Sequence, residues 1–192
     1  MDENVVLGNQ GLPLCSSCAN AWPNQLGPLP LAQLERIALW PYQGTVRRLI
    51  VQAKDMPYCA QAWALRRAAR NALLTHSPER AVWCVTPPSR RRRLADWYLP
   101  QFVGIGVAHC VKSPFRALLK RNQQRRSQSE LSGVERRANL QQTFQWRGGK
   151  VPNCVVLFDD VSTTGATFSE GARALRAAGV SKVLAVCLAV VE

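Results

Sequence analysis

Residues 155–167 read VVLFDDVSTTGAT, and this stretch constrains the fold more than any other part of the chain. Its first four residues are apolar, a run that is too short to cross a membrane and is typical of a buried parallel strand. Two carboxylates, Asp159 and Asp160, follow directly, and small polar residues then open a stretch of helical composition. A strand, an acidic pair, a loop and a helix start in this order predict an α/β fold with a ligand site where the strand ends.

The residue types in this stretch suit a phosphorylated sugar. The amides of a loop and the dipole of the helix behind it favour a phosphate, and here they would come from Thr163, Thr164, Gly165, Ala166 and Thr167. Ionised carboxylates only accept hydrogen bonds, so Asp159 and Asp160 suit the two hydroxyls of a ribose. A buried strand followed by an ordinary capped helix is the competing interpretation, but it leaves the adjacent acids unexplained. The sequence contains neither a Walker A lysine loop nor a GxGxxG fingerprint.

The apolar pattern of the rest of the chain predicts helices alternating with strands. Helices are expected at 31–40, 44–54, 58–74, 92–103, 131–140 and 168–178, and strands at 81–86, 108–111, 154–158 and 182–190. This alternation indicates an α/β domain over residues 31–192, with a parallel sheet flanked by helices. Residues 1–30 are rich in Gly, Pro and Asn and are expected to form a short irregular N-terminal segment.

Positive charge is concentrated in one region. The chain has 25 basic and 12 acidic residues, a net charge of +13, and 20 of the basic residues are arginine. Residues 90–150 contain 14 basic and three acidic residues, so +11 of that charge lies there. Arginine matches the geometry of phosphate groups, so a polyanion such as nucleic acid or pyrophosphate is an expected partner. A solvated basic face is the alternative.

The stretch 155–167 resembles the motif with which type I phosphoribosyltransferases bind phosphoribosyl pyrophosphate (PRPP). Only Ser162 departs from it, because an apolar residue is usual there. Three more stretches are similar to the ComF family, which includes the GntX-like proteins linked to DNA uptake and use. They are YQGTVRRLI with Lys54 at 42–54, VTPPSR at 85–90 and QSELSGVERRANL at 128–140. The four matches cover residues 40–192 in order.

The resemblance implies a type I phosphoribosyltransferase-like fold in a cytoplasmic protein that binds PRPP with Mg²⁺. Asp159 and Asp160 would hold the ribose and help to orient the metal ion, residues 163–167 would bind the 5′-phosphate, and Ser89 and Arg90 would belong to the pyrophosphate loop. The family usually continues that loop with Arg-Gly-Phe-Asn-Gln, whereas this chain reads RRRRLADWYL. Two functions therefore stay open: a phosphoribosyltransferase, or a non-catalytic PRPP or nucleotide sensor that binds single-stranded DNA through residues 90–150. The resemblance leaves homo-oligomerisation open.

Seven cysteines and six tryptophans complete the candidate residues. The resemblance implies a zinc site of two CxxC pairs, but the sequence has only Cys15 and Cys18, and structural zinc takes four ligands. Three explanations stay open: a start assigned too late, a degenerate zinc site, or a redox pair.

Three cysteines are expected in core strands (Cys84, Cys154 and Cys187). Among the tryptophans, Trp63 and Trp83 are expected in the core, and Trp97 and Trp146 are candidates for stacking on bases. No secretory segment or membrane span is expected, because the longest apolar run is nine residues.

Overall fold

The computed structural model describes residues 5–7, 13–23, 25–31, 34–74, 81–89, 92, 96–122 and 143–191. In chain order, its elements are β1 (Val5–Leu7), β2 (Pro13–Cys15), α1 (Ser16–Asn20), β3 (Gly27–Leu31), β4 (Leu34–Pro41), α2 (Gly44–Asp55), α3 (Ala60–Leu73), β5 (Val82–Val85), α4 (Leu99–Cys110), β6 (Leu119–Arg121), β7 (Phe144–Trp146), β8 (Cys154–Ser162), α5 (Ala166–Ala177) and β9 (Lys182–Val190).

A five-stranded sheet in the order β3-β4-β9-β8-β5 forms the centre of the molecule. The last four strands of that order are mutually parallel, and β3 is an antiparallel edge strand beside β4. This confirms the predicted α/β class with a mainly parallel sheet flanked by helices. Strands β1 and β2 form a small antiparallel pair, and β6 and β7 form another. The predicted domain boundary between residues 30 and 31 stays a prediction, with β3 lying across it.

The two faces of the sheet carry different helices. Helices α2, α3 and α4 pack on one face around Trp40, Trp83 and Phe158, and α5 packs on the other face together with the β6–β7 hairpin. Helix α2 buries Val46, Leu49, Ile50 and Ala53, which are the four residues that its amphipathic pattern places inward. The sheet is thus covered on both sides, as a parallel sheet requires.

The helix predicted at 31–40 is wrong, because residues 34–41 form strand β4. The pattern of Leu31, Leu34, Ala38 and Leu39 fits a helical face, but Ile37 and Trp40 are buried as well. A strand that is buried on both faces reads as a continuous apolar run, so its periodicity does not separate it from a helix. The helices predicted at 44–54 and 58–74 are confirmed as α2 and α3, and the strand at 182–190 is confirmed as β9.

Three further expectations differ from the structure. The helix expected at 92–103 is α4, which begins at Leu99 and has Pro100 in its first turn, where proline is well tolerated. It continues to Cys110, so the strand expected at 108–111 is wrong. The N-terminal segment is not simply irregular, because it contains β1, β2, α1 and β3. The helix expected at 131–140 lies outside the described residues.

Strand β7 is anchored to α5 by a buried carboxylate. Glu170 is 5% exposed, and its Oε1 accepts a hydrogen bond from the backbone N–H of Phe144 at 3.1 Å. Arg173 donates to both oxygens of Glu170, at 2.7 and 2.8 Å, and also to the carbonyl of Phe144 at 3.2 Å. These bonds fix the hairpin over the face of the sheet that α5 covers.

Candidate functional site

The acidic pair lies on β8 just past the point where its neighbour β5 ends. The two strands are parallel, and the backbone N–H of Thr86 donates to the carbonyl of Phe158 at 3.1 Å just after β5 ends. The sequence placed Asp159 and Asp160 beyond the end of the strand, but β8 continues to pair with β9 as far as Ser162. Both acids therefore lie near the C-terminal end of the central strand β8, and the pairing of β8 with β9 fixes their backbone there.

Asp160 is paired with a lysine from the neighbouring helix layer. It is 8% exposed, and its Oδ1 lies 2.8 Å from Nζ of Lys54 near the C-terminal end of α2. A buried carboxylate needs such a partner, because burial without one is costly. Lys54 is part of the stretch at 42–54 that resembles the ComF family, and the structure gives it a contact with the site.

Asp159 has a strongly perturbed pKa. Burial raises the pKa of Asp159 from 3.8 to about 7, and the charge of Asp160 adds to the rise. Hydrogen bonds from the Thr86 side chain and the Asp160 backbone, together with the charge of Lys54, oppose it. A carboxyl group with a pKa near 7 next to a second carboxyl group is typical of a binding or catalytic site.

A small cavity opens in front of the two acids. It has a volume of 160 Å³, and its lining includes Asp159, Asp160, Lys54, Arg92, Trp97 and Tyr98. The Tyr98 hydroxyl donates to the carbonyl of Thr86 at 2.9 Å, and burial raises the pKa of Tyr98 well above its usual value. Arg92 donates to the carbonyl of Lys54. Thr86, Tyr98 and Arg92 thus stiffen the wall of the cavity, a role that the sequence did not indicate for Thr86 and Tyr98.

The predicted phosphate loop follows the acids without a break. Thr163 and Thr164 are exposed, and Gly165 adopts a left-handed conformation with φ of 74° at the N-terminus of α5. Gly165 occupies the N-cap position and has no side chain that could cap the helix. The backbone N–H of Ala166 donates a long hydrogen bond of 3.4 Å to Thr164 Oγ1. The N-terminal dipole of a 12-residue helix at this point suits an anion.

Ser162, the one departure from the PRPP motif, has a buried partner. It is 4% exposed, and its Oγ accepts a hydrogen bond of 2.9 Å from NH1 of Arg36 on β4. Arg36 is itself only 8% exposed, and its Nε has no hydrogen-bond partner in the part of the chain that the structure describes. The predicted helix at 31–40 gave Arg36 no role, so the sequence missed this contact.

The predicted pyrophosphate loop lies beside the acids. Ser89 is exposed and its Oγ accepts a hydrogen bond from the Arg92 backbone at 3.4 Å, whereas Arg90 lies outside the described residues. Pro87 and Pro88, which precede Ser89, also line a basic cavity of 430 Å³. The other residues lining that cavity are Lys120, Arg121, Asn122, Gln145 and Arg147. A second, cationic recess therefore adjoins the same loop.

Two tryptophan predictions are wrong. Trp97 is 6% exposed and donates its indole N–H to the carbonyl of Ala53 at 2.7 Å, so its ring is not free to stack on bases. Trp63, which was expected in the core, is 50% exposed on α3. Trp83 is buried in β5 as expected, and Trp146 packs against the core beneath α5. The three cysteines expected in core strands lie in β5, β8 and β9, and Cys84 and Cys187 are fully enclosed there.

Cys15 and Cys18 lie together around α1, and their thiols are within hydrogen-bonding reach. Hydrogen bonds from Cys18 lower the pKa of the exposed Cys15 thiol. In the described part of the chain, no group of three His, Cys, Asp or Glu side chains is arranged to hold a metal ion. Structural zinc takes four ligands, of which Cys15 and Cys18 would provide two, and the explanations given above for the pair stay predictions.

The carboxylates of Asp159 and Asp160 fit a magnesium ion that is shared with a substrate. Mg²⁺ prefers oxygen ligands and is usually held by one or two carboxylates together with substrate phosphates and water. Burial and the repulsion from Asp160 raise the pKa of Asp159, and a cation at this position would oppose both effects. The donor set therefore fits the metal ion that the resemblance implies.

No protein-family model matches the sequence, and the curated proteins give no significant match. Three solved structures have similar folds. The allosteric regulatory enzyme of purine biosynthesis is 21% identical, with a TM-score of 0.46, over 66% of this chain and 26% of its own. Glutamine PRPP amidotransferase from B. subtilis is 23% identical, with a TM-score of 0.44, over 64% and 26%. Adenine phosphoribosyltransferase from Leishmania tarentolae is 18% identical, with a TM-score of 0.44, over 73% and 74%.

The chain matches about a quarter of the length of the first two of these proteins. All three identities are below 25%, and all three TM-scores are below 0.5. In the described residues, no helix is long and apolar enough to span a bilayer.

Replacing Asp159 by asparagine is expected to stabilise the free protein at pH 8. A carboxyl group whose pKa is raised on folding stabilises the fold fully below its unfolded pKa near 4, and this contribution is lost as pH rises through 7. Asp159→Asn removes that loss, so unfolding at pH 8 is expected to require about 1–3 kcal/mol more. Urea titration at pH 8 and pH 4 measures this gain. A gain of equal size at both pH values would contradict the raised pKa.

Proposed function

We propose that this edge of the sheet binds PRPP, and that the protein is a phosphoribosyltransferase-like protein of the ComF/GntX type, linked to DNA uptake or the use of DNA as a nutrient. The observation that carries the proposal is the arrangement of one acidic pair, a cavity in front of it and an uncapped helix start directly behind it. To bind a ribose 5-phosphate, a site needs groups that accept hydrogen bonds from the ribose hydroxyls and, next to them, a loop that binds the phosphate. Residues 159–167 would supply both.

Different residues would bind the ribose, the 5′-phosphate and the pyrophosphate of PRPP. Asp159 and Asp160 would accept hydrogen bonds from the ribose hydroxyls, and residues 163–167 would hold the 5′-phosphate with amides and hydroxyls. The loop at Ser89 and Arg90, next to the basic cavity, would face the pyrophosphate. A bound Mg²⁺ would neutralise part of the pyrophosphate charge. The ion pair with Lys54 would hold Asp160 in position when the ligand is absent.

In an enzyme, these groups would favour displacement of the pyrophosphate. The bond between C1 and the pyrophosphate oxygen breaks, the electron pair leaves with the pyrophosphate, and the acceptor's nucleophilic atom forms the new bond to C1. The ribose ring becomes positively charged in the transition state. The fixed carboxylates of Asp159 and Asp160 would stabilise that charge, because preorganised groups need little rearrangement when it develops.

Release of pyrophosphate from PRPP, tested with free bases, ammonia and glutamine, distinguishes an enzyme from a sensor. An enzyme is expected to release pyrophosphate with at least one acceptor, and Asp159→Asn is expected to remove that release. Binding of PRPP without release in any mixture would favour the sensor. Absence of both binding and release would contradict the proposal as a whole.

The alternative function, a PRPP or nucleotide sensor that binds single-stranded DNA, is favoured by the basic cavity at Lys120, Arg121 and Arg147. Its binding to single-stranded DNA is expected to weaken on the order of tenfold or more between about 50 and 200 mM salt, since several phosphate contacts displace counterions. Lys120→Ala with Arg147→Ala is expected to flatten this salt dependence. Fluorescence anisotropy measures it, with Arg67→Ala and Arg70→Ala on the exposed side of α3 as the matched control.

Binding that is independent of salt, or an equal loss in the control, would exclude a specific role for the basic cavity. The charge of residues 90–150 would then be a solvated face.

A further inference from the structure

Among the described residues, the buried contact between Arg36 and Ser162 has no counter-ion. None of the ion pairs in the described part of the chain includes Arg36, and its Nε donates to no acceptor there. Its one side-chain hydrogen bond in that part of the chain goes to a neutral hydroxyl. A guanidinium stays charged at any physiological pH, so burying it without a carboxylate is unfavourable for the free protein.

The position of Arg36 accounts for the unfavourable free energy of burying its charge. Its partner Ser162 is the residue immediately before the loop 163–167, so the guanidinium lies at the point where that loop begins. The charge also acts on the thiol of Cys187 in the adjoining strand: burial raises the pKa of Cys187, and Arg36 opposes the rise. Charges in such a poorly solvated place act more strongly and are screened less by salt than charges at the surface.

We propose that Arg36 is a positioning residue whose buried positive charge is compensated by the phosphate group that the loop binds, and that Ser162 replaces the usual apolar residue in order to hold the guanidinium there. This rests on the proposed function of the loop. The free protein would carry an unbalanced cation, and the ligand would supply the missing anion. Arg36 would thus lower the stability of the free state and raise the affinity for phosphorylated ligands.

The direction of these two effects separates this role from a structural one. The double variant Arg36→Met/Ser162→Ala removes both partners, so it leaves no buried hydroxyl without a hydrogen bond. Its thermal unfolding midpoint without ligand is expected to equal or exceed that of the wild type. Its affinity for PRPP is expected to fall about tenfold or more, because one charge close to the phosphate is lost. A residue that only supported the fold would give a lower midpoint.

Two single variants and one control complete the experiment. Ser162→Ala keeps the charge but removes the hydroxyl that holds it, so it is expected to lose only part of the affinity that the double variant loses. Arg36→Lys is expected to recover most of that affinity. Arg67→Met, on the exposed side of α3, tests for a general effect of charge and is expected to change nothing. Calorimetric titration with PRPP and thermal unfolding with and without PRPP give all the readouts.

The outcomes distinguish this inference from the proposed function. Wild-type protein that binds PRPP together with a double variant that binds it equally well would overturn the role of Arg36 and leave the site intact. A free double variant that is clearly less stable than the wild type, or a Ser162→Ala variant that loses as much affinity as the double variant, would also overturn it. Wild-type protein that binds no PRPP would overturn both.

Discussion

Exchanging Asp159 and Asp160 together for asparagine is expected to weaken PRPP binding by about 100-fold or more, while the fold is retained. Each hydrogen bond from a ribose hydroxyl to an ionised carboxylate is stronger than one to a neutral amide, and two such losses together account for an effect of this size. Asparagine keeps the shape of both side chains. Alanine is a poorer choice, because it would leave Lys54 facing an empty space.

Circular dichroism and thermal unfolding test whether the double variant is folded, and calorimetry measures its affinity for PRPP. Loss of the Lys54–Asp160 ion pair is expected to destabilise the double variant, and removal of the buried carboxyl group of Asp159 is expected to stabilise it. Because these effects offset each other, the thermal unfolding midpoint is expected to change little. Glu35→Gln removes an exposed acid from β4 and serves as the control. Unchanged affinity in a folded double variant would remove the ribose assignment.

Glu170→Ala is expected to lower the free energy of unfolding by about 2–4 kcal/mol, the largest effect on stability predicted for a single side chain here. The variant leaves the buried N–H of Phe144 without an acceptor and releases Arg173 from its bidentate contact. It also frees β7 from α5. Chemical denaturation followed by circular dichroism measures the change.

Glu170→Gln is the matched control for this prediction. Its amide oxygen can still accept from Phe144, so a smaller loss of about 1 kcal/mol is expected. Equal losses in the two variants would assign the effect to the charge alone. A loss below about 0.5 kcal/mol for alanine, the range of ordinary surface substitutions, would show that the hairpin does not depend on Glu170.

The acidic pair and its loop could be predicted from the sequence because their elements are contiguous. One run of 13 residues contains the strand, both carboxylates, the loop and the helix start, and local order alone sets their relation. The lengths of α2, α3 and β9 were also predictable, since an amphipathic stripe or an apolar run with clear stops defines each. Gly179 illustrates such a stop: it adopts φ of 101° just after α5, as a helix C-terminus requires.

The rest of the site depends on contacts between distant residues. Arg36 and Ser162 are 126 positions apart, and only the pairing of β4 with β9 brings them together. The helical interpretation of 31–40 concealed this, since an arginine in an amphipathic helix is expected on the solvent side. Trp97 was misplaced for a similar reason: its basic neighbours in sequence suggested exposure, while the carbonyl of Ala53 on α2 holds it in the core.

Calorimetric titration of the wild-type protein with PRPP in the presence of Mg²⁺ tests the central claim most directly. One ligand is expected per chain, with a dissociation constant within or below the range of about 1 μM to 1 mM that is typical of enzyme substrates. Binding is also expected to raise the unfolding midpoint as the ligand concentration increases. Absence of both binding heat and any shift of the midpoint at millimolar PRPP would contradict the assignment of residues 159–167 as a PRPP site.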